Sequence, residues 1–120
     1  MKVIVSAQGE SLEALVDPRF ARACWLIEMD TETGEWTPHD NRVNKEVGGG
    51  AGVAAASTVV KLGAEALITG NVGPKAFRTL AAAGTRIYLV GVCCVREALE
   101  RLVADELIPA GAESVGGHWT

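Results

Sequence analysis

Short apolar segments alternate with polar connections along the first part of the chain. Val3-Ile4-Val5 and a run of hydrophobic residues at 24–29 predict the first two strands. Turn-forming residues at 31–34 then lead to a third strand at 35–37, which Pro38 ends or places at the edge of a sheet. The chain is therefore predicted to begin as an antiparallel meander.

The second part alternates helices with strands. An alanine-rich helix is predicted at 51–62, and Gly63 is expected to end it. A strand at 66–69, a helix from Pro74 to about Gly84, a strand at 86–90 and an amphipathic helix at 95–103 follow. This order predicts an α/β protein: a ribonuclease H-like mixed five-stranded sheet flanked by three helices. We expect one domain at 1–104 and a C-terminal tail at 105–120.

Length and composition limit the possible classes of protein. The 120 residues suit one domain, and 48% are hydrophobic but only 5% aromatic, so aliphatic side chains must form the core. The N-terminus has only three consecutive apolar residues, and no run approaches the roughly 18 that a membrane span needs. We therefore expect a cytoplasmic protein with no membrane partner. Three cysteines without a CxxC pair argue against a disulfide framework and a structural zinc site.

Positive charge is concentrated in the middle of an acidic protein. The net charge is −4, which argues against nucleic acid as a partner. Residues 47–96, however, contain one acid and five cations, a local excess of +4: Lys61, Lys75, Arg78, Arg86 and Arg96. An anionic small ligand would favour such a centre, although the cations could equally be scattered, solvated side chains. Arg96 is predicted to pair with Glu100 four residues along the last helix.

Two glycine-rich segments precede predicted helices and could bind an anion. Gly48, Gly49, Gly50 and Gly52 lack side chains, so backbone N–H groups could approach a ligand at the start of a helix. The second segment contains Asn71, Val72 and Gly73, with Lys75 and Arg78 close behind. Neither segment matches a dinucleotide or Walker motif. The alternatives are a flexible loop and an ordinary strand-to-helix turn.

Adjacent cysteines and two histidines are weaker candidates for metal ligands. Cys93 and Cys94 precede the last helix, where the thiolate form would be favoured, but adjacent side chains diverge, so packing is the competing interpretation. Cys24 is expected in the core. His118 could fold over a ligand, but it could also be solvated, as we expect for His39.

Catalytic patterns are absent from the sequence. The first strand offers only Ser6 and Gln8 where a ribonuclease H-type nuclease needs a metal-binding carboxylate. No GxSxG, HExxH or Cys–His–acid pattern is present. We therefore expect a binding protein and not an enzyme.

Three segments carry a family resemblance that extends over nearly the whole chain. Residues 17–23 (DPRFARA), 50–52 (GAG) and above all 68–77 (ITGNVGPKAF) resemble the dinitrogenase iron–molybdenum cofactor biosynthesis family, as does the ending GHW at 117–119. The resemblance implies a ribonuclease H-like fold. It also implies binding of a molybdenum-containing metal–sulfur cluster, of molybdenum–copper sulfide or iron–molybdenum–sulfur type, and Arg19 joins the expected binding residues.

Two departures from the family pattern concern the expected site. The family commonly has glycine where this chain has Ala21, and small or hydroxyl residues where it has Cys93 and Cys94. The cysteines could therefore touch the metal. The leading hypothesis is a carrier or storage protein for an anionic cluster. The alternative is an interaction or regulatory module that holds a protein of the cofactor-assembly pathway without a bound cluster.

Overall fold

The computed structural model describes residues 1–45 and 50–111, and its centre is one five-stranded sheet of order β3-β2-β1-β4-β5. Strand β1 is antiparallel to β2, and β2 to β3, whereas β1, β4 and β5 run parallel. The meander and the later parallel strands give the ribonuclease H-like mixed sheet predicted from the sequence. The strands span β1 Lys2–Ala7, β2 Trp25–Asp30, β3 Trp36–Asp40, β4 Ala66–Thr69 and β5 Arg86–Leu89.

The three predicted helices are present with small changes at their ends. Gly63 and Gly84 follow two of them with φ of +77° and +81°, conformations that favour glycine over residues with a side chain. Two further elements lie in segments predicted as irregular: the short α1 and a 3₁₀ turn at Phe20–Arg22. No helix in the described ranges is long and apolar enough to cross a membrane. The helices span α1 Arg42–Lys45, α2 Ala51–Lys61, α3 Pro74–Ala82 and α4 Val95–Val103.

The two faces of the sheet are covered differently. Along β1, Val3 and Val5 face the cluster that contains the apolar side of α4, whereas Ile4 faces the cluster of α2 and α3. This alternation follows from the two-residue period of a strand. One helix therefore packs on one face, and two helices pack on the other.

The edges of the sheet differ as well. Pro38 lies in the middle of β3 at the outer edge, so the edge placement of this proline is confirmed and the strand continues past it to Asp40. At the other edge, the Ala110 N–H donates a hydrogen bond of 2.7 Å to the Ile87 carbonyl, and Pro109 lies opposite Tyr88. Residues beyond 104 thus contact the sheet as far as Ala110. The division of the chain at 104 stays a prediction.

Candidate cluster-binding edge

Three loops follow the carboxyl ends of the parallel strands and meet at one edge of the sheet. Beneath them, the Ser6 hydroxyl lies 2.7 Å from the Thr69 hydroxyl and 3.0 Å from the Asp17 carbonyl oxygen. Both hydroxyl side chains are fully buried. Ser6 thus ties the loop after β1 to the end of β4.

The segment after β1 is bound tightly to the turn after β4. The Phe20 N–H donates to the Asn71 carbonyl at 3.0 Å, and Phe20 itself is buried against α2 and α3. A β-carbon added at Gly70 would lie 2.5 Å from the Pro18 Cα, so only glycine permits this approach. Two of the segments that carry the family resemblance are therefore neighbours in space.

The first turns of α2 and α3 meet the 3₁₀ turn at a junction of small residues. A β-carbon built on Gly52 would lie 3.5 Å from the Ala76 Cβ and 3.6 Å from the Ala21 Cβ. Neither helix has a side-chain cap at its N-terminus. The first backbone N–H groups of a helix have no partner within it and carry partial positive charge. The two helix N-termini thus lie side by side, which is the proximity that a shared site requires.

The expected cofactor-binding residues comprise residues at this edge, residues outside the described ranges, and exposed cations. Gly50, Gly52, Asn71, Val72 and Gly73 lie at this edge, within the first turn of a helix or just before it. Val72 is only 3% exposed and its side chain belongs to the core cluster of α2 and α3. Asn71 is half-buried, and its side chain makes no hydrogen bond with the described part of the chain. The positions Gly48, Gly49 and His118 lie outside the described residues.

Three cations near the junction remain available for an anion. Arg19 precedes the 3₁₀ turn, and Lys75 and Arg78, three residues apart, share an exposed side of α3 near its N-terminus. None of the three side chains forms an ion pair with a residue at 1–45 or 50–111.

The five cations at residues 47–96 do not form one positive patch. The interpretation of their +4 excess as a positive centre is therefore corrected. Lys61 lies in the last turn of α2, and Arg86 begins β5 with its guanidinium 2.9 Å from the Met1 sulfur, both away from the helix N-termini. Arg96 pairs with Glu13 at 2.8 Å, and its hydrogen bonds lower the pKa of that carboxyl. The predicted pairing of Arg96 with Glu100 is wrong, because the loop after β1 brings Glu13 closer.

The cysteine pair lies at the same edge but toward the face covered by α4. The Val16 N–H donates to the Cys93 carbonyl at 2.9 Å, and Cys94 is the residue that precedes α4. Cys93 is 7% exposed, and burial, together with the charge of Glu97, raises the pKa of its thiol. The expectation of a favoured thiolate is therefore wrong for Cys93, because desolvation opposes ionisation.

Two other sequence-based expectations also change. Cys24 is half-buried just before β2 and not deep in the core, and no cysteine forms a disulfide. His39 is not simply solvated, because its Nε2 lies 2.8 Å from a carboxylate oxygen of Glu28. Within the described ranges, no three His, Cys, Asp or Glu side chains are grouped so that they could hold a metal ion.

Sequence reasoning missed the residues that assemble this edge. Ala21 and Ala76 set the spacing between the 3₁₀ turn, α2 and α3, and Gly70 permits the approach of Pro18. The sequence shows a small residue at each of these positions, and small residues are too common for their presence to identify a contact. Their roles depend on contacts between residues 24 to 52 positions apart.

The fold and this edge define a small ribonuclease H-like α/β protein in which two uncapped helix N-termini lie together beside exposed cations. The family model "Dinitrogenase iron-molybdenum cofactor" matches residues 1–105. The chain belongs to this family, and the resemblance seen in the sequence is confirmed.

Solved structures support the assignment. The apo form of the orange protein from Desulfovibrio gigas is 39% identical, with a TM-score of 0.87 over 92% of each chain. A NifB-like protein of the DUF35 family from Thermotoga is 34% identical, with a TM-score of 0.79 over 90% of this chain and 91% of that one.

A more distant structure shares the fold alone. A dinitrogenase-like protein from Methanocaldococcus jannaschii is 16% identical, with a TM-score of 0.66 over 92% of this chain and 95% of that one. No curated protein sequence matches the chain.

Proposed function

We propose that the protein binds an anionic metal–sulfur cluster and carries or stores it in the cytoplasm, without catalysing a reaction on it. The observation that carries the proposal is the junction of Gly52 with Ala21 and Ala76, which brings two uncapped helix N-termini together. Membership of a family named for the iron–molybdenum cofactor supports a cluster as the anion.

The proposed site consists mainly of backbone donors. Gly50, Gly52, Asn71, Val72 and Gly73 would present N–H groups, and we propose Gly48 and Gly49, which lie outside the described residues, as further donors. Sulfide and other anionic groups accept hydrogen bonds from N–H donors, and helix N-termini favour negative charge. At Gly50, Gly52 and Gly73, a larger residue would place a side chain between a compact cluster and the backbone.

Three cations would supply the remaining attraction. Arg19, Lys75 and Arg78 are exposed and have no described carboxylate partner, so an anion could contact them without first breaking an ion pair. Charge-assisted hydrogen bonds are about twice as strong as neutral ones. Because exposed charges are screened by salt, retention of the cluster should weaken as ionic strength rises.

A thiolate ligand from the protein is not required in this arrangement. The sulfides of a preassembled cluster already satisfy the preference of molybdenum and copper for soft ligands. Burial of Cys93 raises its pKa, which further disfavours its use as a thiolate. Cys94 and His118 remain candidates for a supporting contact with the metal.

The proposed cargo is a molybdenum-containing cluster, either molybdenum–copper sulfide or iron–molybdenum–sulfur. The similarity to the orange protein, at 39% identity over 92% of each chain and solved in an apo form, supports a small ligand-binding protein. Proteins of the cofactor-assembly pathway are the proposed partners, because a carrier must receive its cargo and deliver it.

Metal analysis tests the proposal directly. Protein purified without oxygen from its own organism should absorb visible light and contain molybdenum and sulfide, with copper or iron. Recombinant protein supplied with molybdenum, copper and sulfide should take up a chromophore that remains after gel filtration. Protein that is colourless and free of metal in both experiments would contradict cluster binding and favour the interaction-module alternative.

A further inference from the structure

The β2–β3 hairpin has two different faces. On the side of α2, Glu28 contacts both His39 and Lys2, with N–O distances of 2.8 and 3.4 Å. On the opposite side, that of α4, the hairpin presents apolar residues. In the core cluster on this side, which includes the apolar residues of α4, the described part of the hairpin supplies one buried residue, Ile27, whereas the other sheet residues come from β1, β4 and β5.

The strand register places four large apolar side chains on that second side. Met29 lies opposite Trp36, and Pro38 lies opposite the buried Ile27. Trp25 and Met29 are partly buried and pack against the core cluster that includes α4, and the Arg42 guanidinium lies over the Trp25 ring, 5.3 Å from its centroid. Trp36 is 40% exposed. We call Trp25, Met29, Trp36 and Pro38 the hairpin patch.

A groove continues the hairpin patch toward α4. Its volume is about 330 Å³, and its lining includes Met29 of the hairpin, Leu12 of the loop after β1, and Leu99 and Val103 of α4. Val103 is 65% exposed, although α4 directs its other large apolar residues into the core. Contiguous apolar surface that includes tryptophan is typical of protein interaction sites.

The border of this surface is acidic. The described cations at this border already have partners: Arg42 pairs with Asp40 at 2.6 Å, Arg96 pairs with Glu13 at 2.8 Å, and the Met1 amino group lies 3.8 Å from Asp30 and 4.0 Å from Glu32. Glu35 in the hairpin turn and Glu100 beside the groove add further negative charge.

We propose that the hairpin patch and the groove together bind a basic amphipathic helix from a partner protein. A helix beside α4 would cover the half of this face that α4 leaves open, as α2 and α3 together cover the other face. Apolar residues at helical spacing would pack against Trp36 and Met29, and flanking lysines or arginines would meet the acidic border. A second copy of this chain fits less well, because two acidic borders would oppose each other.

Model peptides test the proposal with defined probes. An 18-residue peptide with leucine at helical spacing and lysine elsewhere should bind the wild-type protein in titration calorimetry at about 0.1 M salt. The Trp36→Glu variant should bind it at least about tenfold more weakly, as expected for loss of a central tryptophan. The added carboxylate would by itself strengthen attraction to a basic peptide, so weaker binding must come from lost apolar contact.

Two matched controls complete the experiment. Ile108→Glu makes the same kind of change at a residue 86% exposed near the β5 edge, and it should leave peptide affinity unchanged. A charge-reversed peptide with glutamate for lysine, and a peptide with serine for leucine, should both bind poorly. Absence of wild-type binding, equal binding of either control peptide, or equal loss in both variants would refute the proposal. A wild-type dimer in sedimentation that Trp36→Glu dissociates would assign the surface to a second copy instead.

Discussion

Pro18 lies so close to Gly70 that a β-carbon at residue 70 would be 2.5 Å from the Pro18 Cα and 2.7 Å from its carbonyl oxygen. This contact fixes the loop after β1 against the turn after β4. The same turn leads into α3, so the contact also determines where the N-terminus of α3 lies relative to the segment that carries Arg19.

Gly70→Ala should therefore destabilise the protein and disturb the proposed site. Overpacking against backbone atoms typically costs about 1–3 kcal/mol. Urea unfolding should show a lower midpoint than wild type. Gly91→Ala is the matched control, because a β-carbon there meets nothing within 4 Å and should change stability little. Equal stability of Gly70→Ala and wild type would show that Pro18 can move away at no cost.

Charge near α3 should govern retention of the cluster. The double variant Lys75→Gln, Arg78→Gln should fold normally and lose cluster more readily, by about five- to thirtyfold if each charge contributes about 0.5–1 kcal/mol. The visible absorbance that remains after gel filtration, determined at several salt concentrations, measures the loss of cluster. The control is Lys61→Gln, Arg86→Gln, which removes the same charge away from the helix N-termini and should retain cluster as wild type does.

The cysteine pair should prove dispensable for cluster uptake. Cys93→Ser, Cys94→Ser should still fold and take up the chromophore with at most a modest loss, because backbone N–H groups and cations hold the cluster in the proposed site. Stability should fall somewhat, since Cys93 is buried in the core beneath α4. Complete loss of visible absorbance with the fold intact would instead identify the cysteines as direct metal ligands.

Alkaline pH should destabilise the protein partly through Cys93. Burial raises the pKa of this thiol in the folded protein, so in the unfolded chain it ionises at lower pH. The contribution of the Cys93 thiol to stability is therefore fully present below the ordinary pKa of a cysteine thiol. It is lost as pH rises through the raised pKa of the folded protein. The fall in unfolding free energy between pH 7 and 10 should be smaller in Cys93→Ala than in wild type. Cys94→Ser, which leaves Cys93 in place, should keep the wild-type fall.

Local sequence patterns were sufficient for most of the fold. The apolar run before the turn at 31–34, the alanine-rich helix ended by Gly63 and the apolar spacing in α4 were visible because residue type, length or periodicity within one element reveals each of them. The short α1 and the 3₁₀ turn were missed, because a helical element of three or four residues is about one turn long and shows no 3.6-residue repeat.

The candidate edge was visible from the sequence only in part. The glycine-rich segments and the cations Lys75 and Arg78 could be recognised, and the family resemblance linked them. The charge excess at 47–96 was misleading, because position along the chain does not show that Arg96 pairs with Glu13 or that Arg86 starts β5 at the far end.

The sequence by itself determined which residues share a helix or strand, which segments could offer backbone N–H groups, and to which family the chain belongs. Only the tertiary structure decided that Gly52 meets Ala21 and Ala76, that Pro18 closes on Gly70, and that Met29 of the hairpin shares a groove with Val103 of α4. The physical reason is the separation along the sequence of the residues that interact. Periodicity and turn chemistry act over a few residues, whereas these contacts join distant residues that meet only when the whole sheet and its helices have packed.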